Sequence, residues 1–274
     1  MSTTLPQRFM VYAPDKVEKG TFEKRLSVRQ THLDEVKGKI SGGFIRVGGV
    51  LLTPESIATP TSDKKMVGSM FICEAESIEE VRKVVESDIY YKAGVWDPER
   101  NRYLALPGRN PHSLICYCNV FCHTPDGKES KKLFGITQVV DPYSQEHPLT
   151  PHVLRGEDDR PRTAYAIFAV VSQNDVTEYR SSRVPEVLVR PQHLKEIQPH
   201  IDSGVVQVGG MVVSSEQTGS GEGQKKAEGS LLIIKAETIG EARNLIERDV
   251  YYTSGVWDRE KLVILPFIPA TPFP

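Results

Sequence analysis

The chain has 274 residues, and its 34 Lys and Arg against 36 Asp and Glu leave a formal net charge of −2 at pH 7. This length suits two domains of ordinary size, and the balanced charge predicts neither nucleic acid nor an anionic membrane as a partner. No run approaches the roughly 20 apolar residues that cross a bilayer. A strand-like run begins at Arg8, too early for the apolar region of a signal peptide, so we expect a cytoplasmic protein.

The four-residue segment GVWD occurs twice and points to a duplicated unit. It stands at 94–97 and at 255–258, a separation of 161 residues (255 − 94) that also maps many identical residues onto one another, without a gap, across 29–97. Repetition of this kind indicates two copies of one structural unit. We predict repeat 1 over 1–107, a connector over 108–162 and repeat 2 over 163–274.

Strand and helix patterns alternate in each copy in the order βαββαβ. Apolar runs predict the strands, and apolar residues three, four and seven apart predict the first helix. A capping box over 77–80 begins the second helix, and 238–241 repeats it in copy two. The order predicts an α+β, ferredoxin-like unit, in which two helices cover one face of a four-stranded antiparallel sheet. The elements predicted in repeat 1 are strands at 9–13, 44–52, 67–75 and 103–106, a helix at 22–40 and a second helix from 77 onward.

The other face of such a sheet needs cover, because apolar residues lie on both sides of its strands. The simplest cover is the second copy, so we predict that the two repeats pack sheet to sheet as an intramolecular pseudo-dimer. The chain would then be a monomer, with further homo-oligomerisation left open.

The connector has no counterpart in either copy. Strand-like runs at 114–121 and 133–140, joined by a turn at 124–127, predict a β-hairpin on a sheet edge. Three cysteines beside His123 lack the spacing of common zinc pairs, so we predict no metal site. Cys73 has no cysteine counterpart in copy two, which argues against a disulfide framework. The three connector cysteines are Cys116, Cys118 and Cys122.

Charged residues interrupt the apolar faces of the predicted helices. On the first helix Arg29 fills a step of the apolar stripe, and His32 lies on the same side one turn later. On the second helix Asp88 continues the apolar stripe near the helix C-terminus, where the macrodipole disfavours a negative charge. The acid therefore requires a partner, and the Arg-His pair of the other helix is available. Copy two repeats these residues as Arg190, His193 and Asp249.

These residues allow two interpretations. In a His-Asp dyad, the carboxylate orients the imidazole and increases its basicity, so that the imidazole moves a proton near neutral pH. In the alternative, a buried ion pair fixes how the two helices dock. We favour the dyad, because both copies keep all three residues while most neighbouring positions changed, and a docking pair gains little from an imidazole.

Further residues held by both copies are candidates for contacts with a ligand. The Gly48-Gly49 pair predicts a β-bulge, the interpretation we favour, or backbone N–H groups that face an oxygen atom of a ligand. Ser69 would place a hydroxyl beside the same cleft, and Tyr90 packs in the core or rims a pocket. The candidate substrate-binding residues are Arg29, Gly48, Gly49, Ser69 and Tyr90, with Arg190, Gly209, Gly210, Ser230 and Tyr251 in copy two.

The motifs of both copies resemble those of the YCII-related family, which belongs to the dimeric α/β-barrel superfamily. They are R-x-x-H-L in the first helix, G-G in the second strand, G-S opening the third, and D-x-Y-Y followed by G-V-W. The resemblance covers about 8–107 and 163–267. It implies that the pseudo-dimer is a dimeric α/β barrel within one chain.

The active site proposed for the family is a His-Asp pair, which corresponds here to His32 with Asp88 and to His193 with Asp249. A proline often follows that aspartate in the family, whereas Ile89 stands there in copy one. The clearest activity of the family is that of a dehydrochlorinase acting on a hydroxylated, chlorinated aromatic. The resemblance therefore implies proton transfer on a small oxygenated molecule, aromatic or lactone-like, with no cofactor.

We predict a cofactor-independent lyase or isomerase that performs dehydrochlorination, dehydration or lactone isomerisation in one or both repeats. The histidines would act as general acid/base, the aspartates would orient them, and the arginines would stabilise an oxyanion or carboxylate. The alternative is a non-catalytic small-molecule-binding or scaffold protein, in which the barrel interior holds the ligand and the charged residues form a structural cluster.

Overall fold

The computed structural model describes residues 6–59, 61–107, 154–155, 161–170, 186–215 and 227–273. The predicted connector hairpin and the connector cysteines lie outside these residues. Within them, no helix is long and apolar enough to span a membrane. The strands are β1 (Gln7–Pro14), β2 (Ile45–Leu52), β3 (Met66–Ala75), β4 (Arg102–Leu106), β5 (Leu154–Arg155), β6 (Pro161–Val170), β7 (Val206–Ser214), β8 (Ala227–Ala236) and β9 (Val263–Pro269). The helices are α1 (Thr21–Ser41), α2 (Ile78–Ser87), α3 (Ile89–Lys92), α4 (Glu186–Asp202), α5 (Ile239–Arg248) and α6 (Val250–Thr253).

Each half of the chain forms a four-stranded antiparallel sheet. The strand order is β4-β1-β3-β2 in the first half and β9-β6-β8-β7 in the second. The central pair of the first half, β1 and β3, is in register from Gln7↔Ala75 to Pro14↔Gly68. Strands in this order, joined by helices on one face, form a ferredoxin-like sheet, which confirms the predicted α+β class.

Two seams close eight of these strands into one barrel. β2 pairs with β9 at Leu51↔Phe267, and β4 pairs with β7 at Ala105↔Val213. Each seam therefore joins an edge strand of one half to an edge strand of the other. The predicted sheet-to-sheet packing, an intramolecular dimeric α/β barrel, is confirmed.

The barrel interior is a packed hydrophobic core to which both halves contribute. Two further cores lie outside the barrel, one between each sheet and its helices. Apolar side chains from the strands of both halves line this interior. The buried interior residues are Met10, Val47, Leu51, Met70, Ile72, Leu106, Ala164, Ala166, Val208, Val212, Leu231, Ile233 and Phe267.

Helix α1 meets the sheet with a different face from the predicted one. The apolar stripe predicted from the sequence runs through Phe22, Leu26, Leu33, Val36 and Ile40. Leu26 is nevertheless 48% exposed, whereas Arg25 is 2% exposed. Val28 and Val36 pack against the core on the same side as this arginine. The predicted stripe is wrong at Leu26 because Arg25 has polar partners beneath the helix, which an apolar pattern does not reveal.

The Gly48-Gly49 pair lies in regular strand pairing, so the bulge predicted there is wrong in position. The register of β2 shifts before the pair, between Ile45 and Val47. Gly49 instead permits a close approach of β9, because a Cβ atom there would lie 2.3 Å from the carbonyl oxygen of Ile268. The pair therefore belongs, in the first half, to the seam of the barrel.

Candidate active site

A break between two helices positions the first candidate acid. Helix α2 ends at Ser87, and Asp88 begins α3, where its Oδ1 accepts the N–H of Tyr90 at 2.9 Å. Asp88 stands at the C-terminus of α2, as predicted, but its carboxylate also caps the N-terminus of α3, where a negative charge is favourable. Asp249 begins α6 in the same way and accepts the N–H of Tyr251 at 2.8 Å.

His32 of α1 reaches the carboxylate of Asp88 from the neighbouring helix. Its Nδ1 lies 2.8 Å from Oδ1 and 2.9 Å from Oδ2 of the buried aspartate. Its Nε2 has no hydrogen-bond partner among the described residues, and the side chain is 14% exposed. When Nδ1–H donates to the carboxylate, Nε2 is the nitrogen that can accept a proton.

Aromatic rings hold the imidazole of His32 in one orientation. The Tyr90 ring stacks on it, with centroids 4.0 Å apart and 20° between the planes, and Trp96 meets it edge-on at 5.8 Å. Trp96 follows a turn in which Gly94 has a φ of 68°, a conformation that favours glycine. The repeated GVWD segment therefore orients the dyad rather than forming it.

The second half repeats this geometry and has a pocket beside it. Nδ1 of His193 lies 2.9 Å and 2.7 Å from the carboxylate oxygens of Asp249, and its ring stacks on Tyr251 with centroids 4.0 Å apart. The pocket brings together this histidine and the substrate-binding candidates of copy two. It is lined by Arg190, His193, Leu194, Ile197, Ile201, Val206, Gly209, Gly210, Met211, Ala227, Gly229, Ser230, Leu232 and Tyr251.

The candidates of the first half are only partly brought together. The N–H of Gly48 donates to Oγ1 of Thr271 at 3.1 Å, so in the first half it faces the C-terminal segment of the chain itself. Burial raises the pKa of Tyr90, and the positive charges of Arg25 and Arg29 oppose this rise; Cζ of Arg25 lies 4.3 Å from the centroid of the tyrosine ring. Among the described residues, no three His, Cys, Asp or Glu side chains cluster so as to hold a metal ion.

The chain is similar in sequence to known proteins. The profile of the YCII-related domain matches residues 7–100. Fusaric acid biosynthesis protein 2 of Gibberella fujikuroi is 39% identical over 83 residues, which is 30% of this chain and 76% of that relative. Protein YciI of Escherichia coli is 32% identical over 89 residues, 32% of this chain and 87% of that relative. The chain belongs to the YCII-related family.

Three further proteins are similar to parts or all of this YCII-related chain. Aspartate kinase FUB3 of Fusarium oxysporum f. sp. lycopersici is 40% identical over 83 residues, or 30% of this chain, which spans only 15% of that relative. The structure of a 5-chloro-2-hydroxyhydroquinone dehydrochlorinase from Burkholderia phenoliruptrix, in complex with 2,5-dihydroxybenzoquinone, is 33% identical. That match covers 35% of this chain and 89% of the dehydrochlorinase, with a TM-score of 0.30. A chlorite dismutase from Candidatus Nitrospira defluvii is 11% identical, with 97% of this chain and 92% of that chain covered and a TM-score of 0.48.

The first half, which the YCII-related profile matches, contains a buried cation that the sequence analysis missed. Arg25 donates to Oδ1 of Asp15 at 2.6 Å and to Oγ of Ser69 at 2.9 Å, and its Cζ lies 4.3 Å from the centroid of the Tyr90 ring. The site candidates were chosen as residues that both copies share. Arg25 is not one of them, because the corresponding residue of the second copy, 161 positions later, is Glu186. One pattern in the sequence could have identified it. Arg25 stands seven residues before His32, which places both side chains on one face of the helix.

Burial raises the pKa of Asp15 to about 6, although the ion pair with Arg25 opposes the rise. Between pH 3.8, the ordinary value, and about 6, the native state therefore keeps a proton that the unfolded chain has lost. The contribution of this carboxyl to the free energy of unfolding thus falls as the pH rises through that window.

An Asp15→Asn variant tests this contribution, because asparagine does not titrate. We expect the unfolding free energy of the wild type minus that of the variant to fall by on the order of 2–3 kcal/mol across the window. Urea denaturation at a series of pH values measures the difference. A difference that stays constant, or rises, with pH would show that burial does not dominate at Asp15.

Proposed function

We propose that the protein is a cofactor-independent acid/base enzyme of lyase or isomerase type, acting on a small oxygenated molecule. The observation that carries the proposal is the His-Asp contact of each half, in which the carboxylate engages Nδ1 and Nε2 has no partner among the described residues. A carboxylate in this position orients a general base and stabilises its protonated form.

The reaction in the first half begins when Nε2 of His32 removes a proton from a carbon atom of the substrate. The electron pair of the broken C–H bond forms a new C=C bond. In an elimination, the leaving group departs with its own bonding pair, and the imidazolium then gives its proton to the leaving group or to water. In an isomerisation, the π pair of an adjacent C=C bond takes up the proton that the imidazolium returns, so the double bond moves by one position. Asp88 balances the imidazolium charge between the two steps, and no electron is gained or lost overall.

Negative charge that develops on a substrate oxygen needs a donor close by. In the first half we assign this role to Arg29, which stands three residues before His32 on α1 and so lies on the same side of the helix. In the second half Arg190 and Ser230 line the same pocket as His193. In this proposal each half combines a base with a donor for an oxyanion.

The pocket of the second half suits a small molecule with an apolar body and an oxygen substituent. Leu194, Ile197 and Leu232 contribute an aliphatic wall, and the polar groups are few. Such a combination is typical of sites for small organic ligands. The relative named Fusaric acid biosynthesis protein 2 supports a role in small-molecule metabolism.

The alternative is a non-catalytic binding or scaffold protein in which the charged residues are structural. One observation favours it: Asp88 also caps α3, so its carboxylate has a structural role whether or not it takes part in catalysis. The two proposals differ in what happens to a bound molecule, because only an enzyme exchanges its protons.

Deuterium exchange into small phenols, hydroxyquinones and butenolides, followed by proton NMR, tests the proposal. We expect the wild-type protein to accelerate exchange at a carbon position in one of these classes. The double variant His32→Gln and His193→Gln should lose this acceleration and keep the circular dichroism spectrum of the wild type. Binding without exchange in the wild type would favour the scaffold alternative, and exchange that persists in the double variant would contradict the role of the histidines.

A further inference from the structure

Arg25 and Asp15 form a buried ion pair that the proposed reaction does not use. Their side chains are 2% and 7% exposed, and Arg25 Nη1 lies 2.6 Å from Asp15 Oδ1. A buried ion pair is rarely more stable than apolar residues of similar volume. This one is also incompletely hydrogen-bonded, since Arg25 Nε and Asp15 Oδ2 have no partner in the described part of the chain. Stability alone therefore does not account for it.

The second half shows that the geometry of the dyad does not require Arg25. Glu186 stands at the corresponding position. The His193 ring nevertheless stacks on Tyr251 at 4.0 Å and 13°, against 4.0 Å and 20° for the corresponding pair of the first half. Orientation of the histidine is thus excluded as the main role of Arg25.

The two halves differ in the donor that contacts a serine at the same position of each sheet. This serine is Ser69 of β3 in the first half and Ser230 of β8 in the second. In the first half Oγ of Ser69 accepts a hydrogen bond from Nη2 of Arg25 at 2.9 Å. In the second half Oγ of Ser230 accepts one from Nε1 of Trp257 at 3.2 Å, whereas Nε1 of Trp96 has no hydrogen-bond partner among the residues that the structure describes. The same serine position therefore has a cationic donor in one half and a neutral donor in the other.

A cationic donor changes what the serine can do. A hydroxyl that accepts from a guanidinium is polarised and becomes a stronger donor to the next acceptor. Ser69 is buried, and its hydroxyl donates to no acceptor among the described residues. Its counterpart Ser230 lines the pocket beside His193, which places this serine position at the ligand side of the sheet.

We propose that Arg25 is a specificity-determining residue, which makes Ser69 the donor for an anionic oxygen and gives the two sites different ligand preferences. The first site prefers phenolates or carboxylates, and the second, in which Trp257 replaces the guanidinium, discriminates less. Each site has one further arginine, Arg29 in the first and Arg190 in the second. Because both sites have such a residue, it does not produce the difference in ligand preference. The proposal rests on the proposed function only in assuming that ligands reach each histidine.

Site-resolved NMR on the full, 15N-labelled chain tests this preference. The probes are 4-nitrophenolate and its neutral analogue 4-nitroanisole, at mildly alkaline pH where the phenol is ionised, and the amide signals of Ser69 and Ser230 report each site. A hydrogen bond strengthened by charge predicts that the phenolate binds the first site about tenfold more tightly than the ether. The ratio at the second site should be clearly smaller. Arg25→Gln should lower the phenolate-to-ether affinity ratio of the first site to the value found at the second site. The ratio at the second site should stay unchanged.

Equal ratios at both sites of the wild type would overturn the proposal, and so would a ratio that Arg25→Gln leaves intact. If Arg25→Gln does not fold, Ser69→Ala provides the same test, since it removes the hydroxyl and keeps the pair of Arg25 with Asp15. Both measurements report binding without turnover. Absence of deuterium exchange would therefore contradict the proposed reaction, while the ligand ratio separately decides the role of Arg25.

Discussion

Replacing Asp88 by alanine is expected to lower the free energy of unfolding by about 3 kcal/mol. Roughly 1 kcal/mol arises because the N–H of Tyr90 loses the acceptor that caps α3. About 2 kcal/mol more arises because Nδ1 of His32 loses both carboxylate contacts in a largely buried place. Urea denaturation followed by circular dichroism measures the change.

Asparagine at the same position separates stability from catalysis. Its side-chain oxygen can cap α3 and accept the Nδ1–H of His32, but it has no charge to stabilise an imidazolium. We expect Asp88→Asn to stay within about 1 kcal/mol of the wild type in stability. Proton exchange at the first site, measured in a His193→Gln background, should fall about a hundredfold.

The second half supplies the matched variants. Asp249→Ala and Asp249→Asn alter the same two kinds of contact, so they should reproduce the losses of stability and of exchange at the second site. An Asp88→Asn protein that exchanges protons at the wild-type rate would show that the negative charge of Asp88 is not needed to stabilise an imidazolium, and would contradict that part of the proposed reaction.

Local patterns predicted the elements that bring this site together. Side-chain oxygens of Ser77 and Thr238 accept the N–H groups of Glu80 and Glu241, as expected of two capping boxes. The interactions that begin these helices lie within one helical turn, so the sequence displays them directly. The order of elements then determines the sheet, and the bare face of the sheet determines the barrel.

Contacts between residues that are far apart in the sequence could not be predicted from local patterns. The apolar stripe of α2 runs on to Asp88, so the sequence suggested one continuous helix, although the carboxylate caps a second one. Arg25 becomes recognisable only when its partners Asp15 and Ser69, 10 and 44 residues away, are known to lie beneath α1. Comparison of the two copies added a bias of its own, because it selects what they share and passes over what distinguishes them.

The seam between β2 and β9 is expected to fail when Gly49 is replaced by alanine. The new Cβ atom would lie 2.3 Å from the carbonyl oxygen of Ile268 and 2.6 Å from the ring of Phe267. Because the first of these atoms belongs to the backbone, no change of side-chain rotamer relieves the contact, and β9 has to move away. Overpacking of this kind should lower the free energy of unfolding by about 3 kcal/mol, measured by urea denaturation.

Gly38→Ala in α1 is the matched control. No atom lies within 4 Å of a Cβ there, and alanine favours a helix over glycine by about 1 kcal/mol, so this variant should gain stability. Opposite signs for the two substitutions would show that the loss at Gly49 comes from the seam and not from added bulk in general. Equal stability of Gly49→Ala and the wild type would mean that β9 does not lie against β2 in solution.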